Sequence, residues 1–314
     1  MTALDYKFEG RLGLDSASVE GNMVWQGFEP KPWEETDIDI KITHSGICGT
    51  DIHSLCSGWG PSPYPLRVGH EIVGIAVRVG SQAEGNIKIG DRVGVGAQND
   101  SCLCRHGECD ECAAGLESYC PKMVVTYGST HFNGGKAMGG EHAAPMLCGG
   151  LALYAPLEYH GHFGVLFAKA LGAERVVGVS RGADKRDEVL KMGVDEYIAK
   201  EDDGGWAMKH DKSLDLVIST LPSSKGSHYR LHQPPQDVQV GNLTTAHTQS
   251  TQSLSSCAVS NSRARASRET AEMLQLAVDK MVRRRIQQRP VSEANQAIMD
   301  MDAGKARYRY VLTN

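Results

Sequence analysis

The sequence predicts an α/β protein in two parts. Its first half alternates apolar and polar residues with the period of two that suits strands. Its second half alternates strand-like and helix-like stretches, and a tight run of cysteines interrupts the apolar pattern before the change of period. A chain of 314 residues is long enough for two ordinary domains. Hydrophobic residues at 40% and charged residues at 23% lie near globular averages, which excludes wholesale disorder. A net charge of −5 offers nothing to a polyanion, so nucleic acid is excluded as a partner. No apolar run approaches the roughly 20 residues of a bilayer span. Residues 1–10 carry charge without an apolar stretch, so neither a membrane partner nor secretion is expected. Nine cysteines in such a chain imply a reducing, cytoplasmic setting, where clustered thiols hold metal rather than pair as disulfides.

The elements follow in order. Ile38, Ile40 and Ile42 alternate with polar residues in DIDIKIT, the pattern of a half-buried strand. Residues 71–79 (EIVGIAVRV) and 92–96 (RVGVG) read as two further strands, with Gly90-Asp91 turning between them. From about Cys102 to Cys120 the apolar periodicity stops, and a segment with no packed face needs a metal staple. Residues 163–171 then read as a helix, 175–179 as a strand, 185–192 as a helix and 214–219 as a buried strand. Together they make βαβ units on a parallel sheet. A helix over 269–285 and a strand over 308–312 come last. Arg283, Arg284 and Arg285 complete the helix C-terminus, where cations suit the dipole. Between 241 and 267 the only large aliphatics are Leu243, Leu254 and Val259, set among Ser, Thr and Gln. That composition cannot offset its ordering entropy and reads as a disordered loop.

Cys102, Cys104, Cys109, Cys112 and Cys120 crowd one short segment, and Cys109-x2-Cys112 has the spacing of a metal knuckle. Four thiolates suit a closed tetrahedral zinc site of structural kind. Five thiols compete for four positions, with Cys102 and Cys104 both candidates for the first. Elsewhere Cys48, His70 and Cys148 offer two thiolates and an imidazole, the donor set of a catalytic zinc with one position open. Such a zinc polarises a carbonyl and lowers the pKa of a bound hydroxyl. Glu71 could fill the fourth position at rest, Asp51 could orient a ligand imidazole, and Thr50 and His53 could pass the alcohol proton outward.

GICGTDIH (46–53), the GHE at 69–71, VGVGAQ (93–98) and the cysteine cluster together resemble the zinc-dependent medium-chain alcohol dehydrogenases, and within them the cinnamyl alcohol dehydrogenase-like, NADP-dependent branch. The match runs almost unbroken over residues 24–140 and returns in patches. The resemblance implies a GroES-like β-rich catalytic domain over 1–150, to which 290–314 return. It implies a Rossmann-type, doubly wound domain over 151–289, and a homodimer. It assigns Cys48, His70 and Cys148 to catalytic zinc, with Glu71 as exchanging fourth ligand. It assigns Cys102, Cys109, Cys112 and Cys120 to structural zinc, and leaves Cys104 in a short insertion. Ser180 and Arg181 at a strand tip, with Lys185 four residues on, match the family's reading of an NADP 2′-phosphate.

Three departures bear on that reading. Gly139-Gly140 runs straight into EHAAP, where relatives have an intervening stretch. Before residue 163 no glycine fingerprint stands; Gly161 looks like the last glycine of a motif whose beginning is absent. From about 222 to 268, Ser/Thr/Gln-rich text replaces the family's strands, so the second domain is expected to be incomplete, with that segment disordered. The function expected is hydride transfer between NADP(H) and a small-molecule primary alcohol or aldehyde. The alternatives are a catalytically impaired zinc-binding remnant, motivated by the missing fingerprint, and a polyol dehydrogenase of the same superfamily.

Overall fold

The computed structural model describes residues 6–28, 30–105, 107–128, 161–180, 182–210, 218–219, 236–239, 258–261 and 267–314. The chain divides into two compact units, one of residues 1–155, 264–273 and 285–314, the other of 156–263 and 274–284.

In the first unit β1 (Glu9–Leu12) and β2 (Val24–Gly27) form an antiparallel hairpin. β3 (Ile38–Gly46) carries the predicted alternation: Ile38 is buried with Ile72, Ala76 and Val95, and Ile40 and Ile42 pack against them. The chain leaves β3 through Ile47 into α1 (Gly49–Leu55). It returns in β4 (Ile72–Val79), antiparallel to β3, and β5 (Arg92–Val95), antiparallel to β4. β6 (Gln98–Asp100) leads into the cysteine segment, which holds one short helix, α2 (Asp110–Ala113). β7 (Val124–Val125) pairs back onto β6, so that ribbon clasps the base of the lobe.

The second unit contains a βαβ pattern, but its second strand, at 196–199, is not one that the sequence predicts, and the strand predicted over 214–219 is described only at 218–219, in another sheet. α3 (Gly161–Ala170) is followed by β8 (Val177–Ser180), α4 (Arg186–Leu190), β9 (Glu196–Ala199) and α5 (Trp206–Lys209). β8 and β9 are parallel, with α4 in the crossover. A separate parallel sheet joins β10 (Ile218–Ser219), β11 (Gln236–Gln239) and β12 (Ala258–Asn261) in that order. β11 and β12 fall within the stretch expected to be disordered over 222–268. Their ladder bonds satisfy the backbone whatever the side chains can bury, a term that composition does not register. α6 (Ser267–Asp279) stops six residues short of its predicted end, and Met281 there adopts a φ of +51°. Arg283, Arg284 and Arg285 therefore lie beyond the helix and do not complete its last turn.

The chain then returns to the first unit through β13 (Gln287–Pro290), α7 (Ala294–Asp302) and β14 (Tyr310–Thr313). β14 runs antiparallel to β3, opposing Val311 to Gly46, and parallel to β13. The sheet order is β13-β14-β3-β4-β5. This sheet sets residues near 310 beside the turn into α1, where the candidate site lies. Among the described residues no helix is long and apolar enough to cross a membrane.

Candidate active site and metal centres

Cys48 is the N-cap of α1. Its Sγ accepts from the Thr50 N–H at 3.4 Å, and Asp51 Oδ2 accepts from the Cys48 N–H at 2.8 Å. This reciprocal cap fixes both side chains. The other oxygen of Asp51 accepts from the Gly69 N–H and from His70 Nδ1–H, both at 3.0 Å. One carboxylate thus ties the start of α1 to the loop that delivers His70. Gly69 has a φ of +122°, which a side chain would strain, and this accounts for the glycine of GHE. With Nδ1 engaged, His70 Nε2 is buried without a hydrogen-bond partner among the described residues. Cys48, Asp51 and His70 are each at most 2% exposed, and they offer ligand atoms all within 4.8 Å of one another. Burial pushes the Cys48 thiol above its ordinary value, with His70 pulling against it. Burial alone would depress the imidazole of His70, but the Asp51 carboxylate and the Cys48 sulfur hold it well above the usual range.

Glu71 points elsewhere. Its buried carboxylate pairs with the Arg309 guanidinium, so the structure does not gather Glu71 with Cys48, Asp51 and His70. Burial raises its pKa and Arg309 opposes the rise. The carboxylate also occupies the space that a Cβ at residue 46 would need, so only glycine fits the end of β3. Thr50 is half-buried on α1, while His53 is exposed and stacks on Trp59 with ring centroids 4.9 Å apart.

In the lobe beyond β6, the thiols of Cys102, Cys109, Cys112 and Cys120 converge. Their sulfurs stand 3.6 Å apart for Cys102–Cys112, 3.5 Å for Cys102–Cys120 and 3.9 Å for Cys109–Cys120, and none is oxidised. Four sulfurs about 2.3 Å from one zinc would be separated by about 3.8 Å, so the donor set fits that ion. The Cys104 N–H lowers Cys102 to about 7. At Cys109 the Cys112 N–H also favours the thiolate, yet burial and the neighbouring thiols push it up to about 12. A cluster that resists a second negative charge is one that a dication would relieve. Cys104 is exposed, with its Sγ directed at the Cys109 carbonyl, and stands outside the group.

On the second unit, Gly161 opens α3, Ser180 ends β8, and Lys185 is exposed just before α4. Arg181 and Cys148 lie outside the described residues.

Comparison with known proteins places these features in a family. Residues 34–163 match the alcohol dehydrogenase GroES-like domain, and residues 161–228 match the zinc-binding dehydrogenase domain. The chain is 34% identical to NADP-dependent alcohol dehydrogenase 6 of Saccharomyces cerevisiae, across 98% of this chain and 96% of the relative. It belongs to the zinc-binding alcohol dehydrogenases. That yeast alignment runs over 354 positions, so the relative carries stretches that this 314-residue dehydrogenase lacks. An Arabidopsis thaliana cinnamyl alcohol dehydrogenase 8 is 34% identical across 61% of this chain and 62% of its own. Among solved structures, cinnamyl alcohol dehydrogenase SbCAD4 of Sorghum bicolor aligns with a TM-score of 0.82 at 25% identity, covering 98% of both chains.

Two residues of this alcohol dehydrogenase escaped the sequence reading. Arg309 is 238 positions from the carboxylate it holds, and only strand pairing reveals the partnership. Tyr127 packs its ring against His70, with centroids 5.5 Å apart, and no spacing in the sequence signals that.

Proposed function

We propose that this alcohol dehydrogenase interconverts a primary alcohol and its aldehyde with NADP(H), at a zinc held by Cys48, His70 and Cys148. The observation that carries the reading is the buried grouping of Cys48 with His70, whose Nδ1 is spent on Asp51 and whose Nε2 has no hydrogen-bond partner among the described residues. Bound zinc would supply a Lewis acid for the substrate oxygen, and bound NADPH would supply the hydride. The chain's own residues do the rest. Asp51 fixes the tautomer and orientation of His70 and raises its basicity as a ligand. Thr50, half-buried beside the Cys48 thiol, takes the alcohol proton at its hydroxyl and passes it to the exposed His53 ring and on to water. Cys102, Cys109, Cys112 and Cys120 would hold a second zinc, whose binding would supply folding energy to their lobe.

For the cofactor, Ser180 lies at the C-terminal end of the parallel strand β8, where doubly wound sheets bind ligands, and Lys185 follows just before α4. With Arg181 between them in sequence they would offer a hydroxyl and two cations to a 2′-phosphate, and Gly161 opens a helix whose N-terminus would suit a pyrophosphate. Family resemblance and the thiol-rich composition support a cytoplasmic homodimer.

Zinc content, NADPH titration and NADPH oxidation with cinnamaldehyde test the reading. About two zincs per chain are expected, and His70→Ala should remove one of them and lower turnover by more than about 100-fold. A chain holding both zincs that neither binds NADPH nor oxidises it defeats the activity. Faster turnover of mannitol than of any aldehyde or its alcohol would move the substrate class to polyols; a Fragaria ananassa relative at 30% identity is named a probable mannitol dehydrogenase.

A further inference from the structure

Tyr127 has no part in the chemistry above, yet it is built into the site from two sides. Its ring is 9% exposed and shares a small apolar cluster with Leu66, Tyr64 and Val68, the residues that lead into the His70 turn. One face lies against the His70 imidazole, at 5.5 Å between centroids and 46° between planes. Its hydroxyl reaches Ser54 Oγ at 3.2 Å, on α1 one residue past His53. The Ser54 carbonyl in turn accepts from Ser62 Oγ at 2.6 Å, which pins the same turn of helix from the other side.

The backbone that carries Tyr127 is held firmly. Val124 and Val125 pair with Asp100 and Gln98, and the next N–H, that of Thr126, donates to the Ala97 carbonyl at 2.9 Å. Thr126 is fully buried, with its hydroxyl on the Gly96 carbonyl. Tyr127 therefore projects from a fixed ribbon that also clasps the four-cysteine lobe, seven residues after Cys120. It touches both parts of the site that must stay in register: the imidazole, and the helix bearing Thr50, Asp51 and His53.

We propose that Tyr127 is a positioning residue for the reaction. Its ring holds the His70 imidazole at the angle set by Asp51, and its hydroxyl locks α1 through Ser54. The inference rests on reading His70 and Cys48 as ligands of the catalytic metal. It also gives the phenol hydroxyl a use, since that group reaches Ser54 on α1.

The test uses the full-length zinc enzyme and its cobalt-substituted form. Zinc transfer to a chromogenic chelator, the cobalt visible spectrum, and kcat and KM with NADPH and cinnamaldehyde are the readouts. Tyr127→Leu should speed release of one zinc by about 10-fold or more and shift the cobalt bands, with the four-thiol zinc released at the parent rate. Tyr127→Phe and Ser54→Ala should each lower kcat by about 3-fold at unchanged KM, and the double variant should fall no further. Parent release rate and parent spectrum in Tyr127→Leu overturn the proposal. Should that variant not fold, unchanged kcat in Tyr127→Phe and Ser54→Ala, or losses that add, overturn it instead. A parent enzyme that binds only the four-thiol zinc contradicts the metal-site reading itself, and is told apart by its stoichiometry.

Discussion

Arg67 is a buried guanidinium. It is 2% exposed, and Nε and both terminal nitrogens lack a hydrogen-bond partner among the described residues. The Phe28 ring faces it, 4.0 Å from the guanidinium carbon. Burial lowers its pKa to about 10. A cation–π contact returns about 2 kcal/mol at best, while an unpaired buried charge costs several. Arg67→Met keeps the stem and removes the charge, so it should stabilise the first unit by about 1–3 kcal/mol, seen as a higher urea midpoint. An unchanged or lower midpoint would mean that the stacking outweighs desolvation. Nothing in PLRVGHE distinguished this arginine from a solvated one. Cys48, Asp51 and His70 were legible because their types and spacing name a chemistry before any packing is known. Glu71 was legible as an acid beside the site, but its direction was not, since Arg309 arrives from a strand 238 residues later.

Among elements, α7 shows how one acid can hold a helix against its sheet. Asp300 accepts from Lys305 and Gln296, both at 3.0 Å, and pairs with Arg289 of β13 at 2.9 Å. Lys305, Gln296 and Arg289 hold its carboxyl down at about 2, below the unfolded value of 3.8. A depressed carboxylate stabilises above its unfolded pKa and loses that contribution as pH falls from about 3.8 toward 2. Asp300→Asn should therefore lower the urea midpoint at pH 6, and the gap from the parent should narrow below about pH 4 and close only toward pH 2. A gap that stays constant across that range would show the contribution not to be ionic. At this scale β3, β4 and β5 could be read from their apolar residues, which meet in one buried cluster, whereas β1, β2, β6, β7 and β13 could not. β11 and β12 could not, because parallel pairing is a property of the backbone and leaves no period in the text.

For the whole molecule, metal stoichiometry is the most direct report on what the chain assembles. Spacing left Cys102 and Cys104 as rivals for one corner of the lobe. Geometry separates them, since Leu103 and Cys104 both take positive φ, at 44° and 59°, and the second thiol turns outward. Cys104→Ser should keep about two zincs per chain by elemental analysis; Cys102→Ser should lose one and melt at lower temperature. Equal loss in both variants would place Cys104 among the ligands. The two-part architecture was legible from the change of period, but the sheet order β13-β14-β3-β4-β5 was not, since no local pattern tells a strand which distant neighbour it will meet. That order has a consequence for biosynthesis. A ribosome releases β3, β4 and β5 long before it makes β14, so the edge of β3 stays unpaired while about 215 further residues are translated. The Glu71 carboxylate waits as long for its cation. The nascent enzyme should thus present chaperones with an open sheet edge and an uncompensated buried acid until its last strand docks.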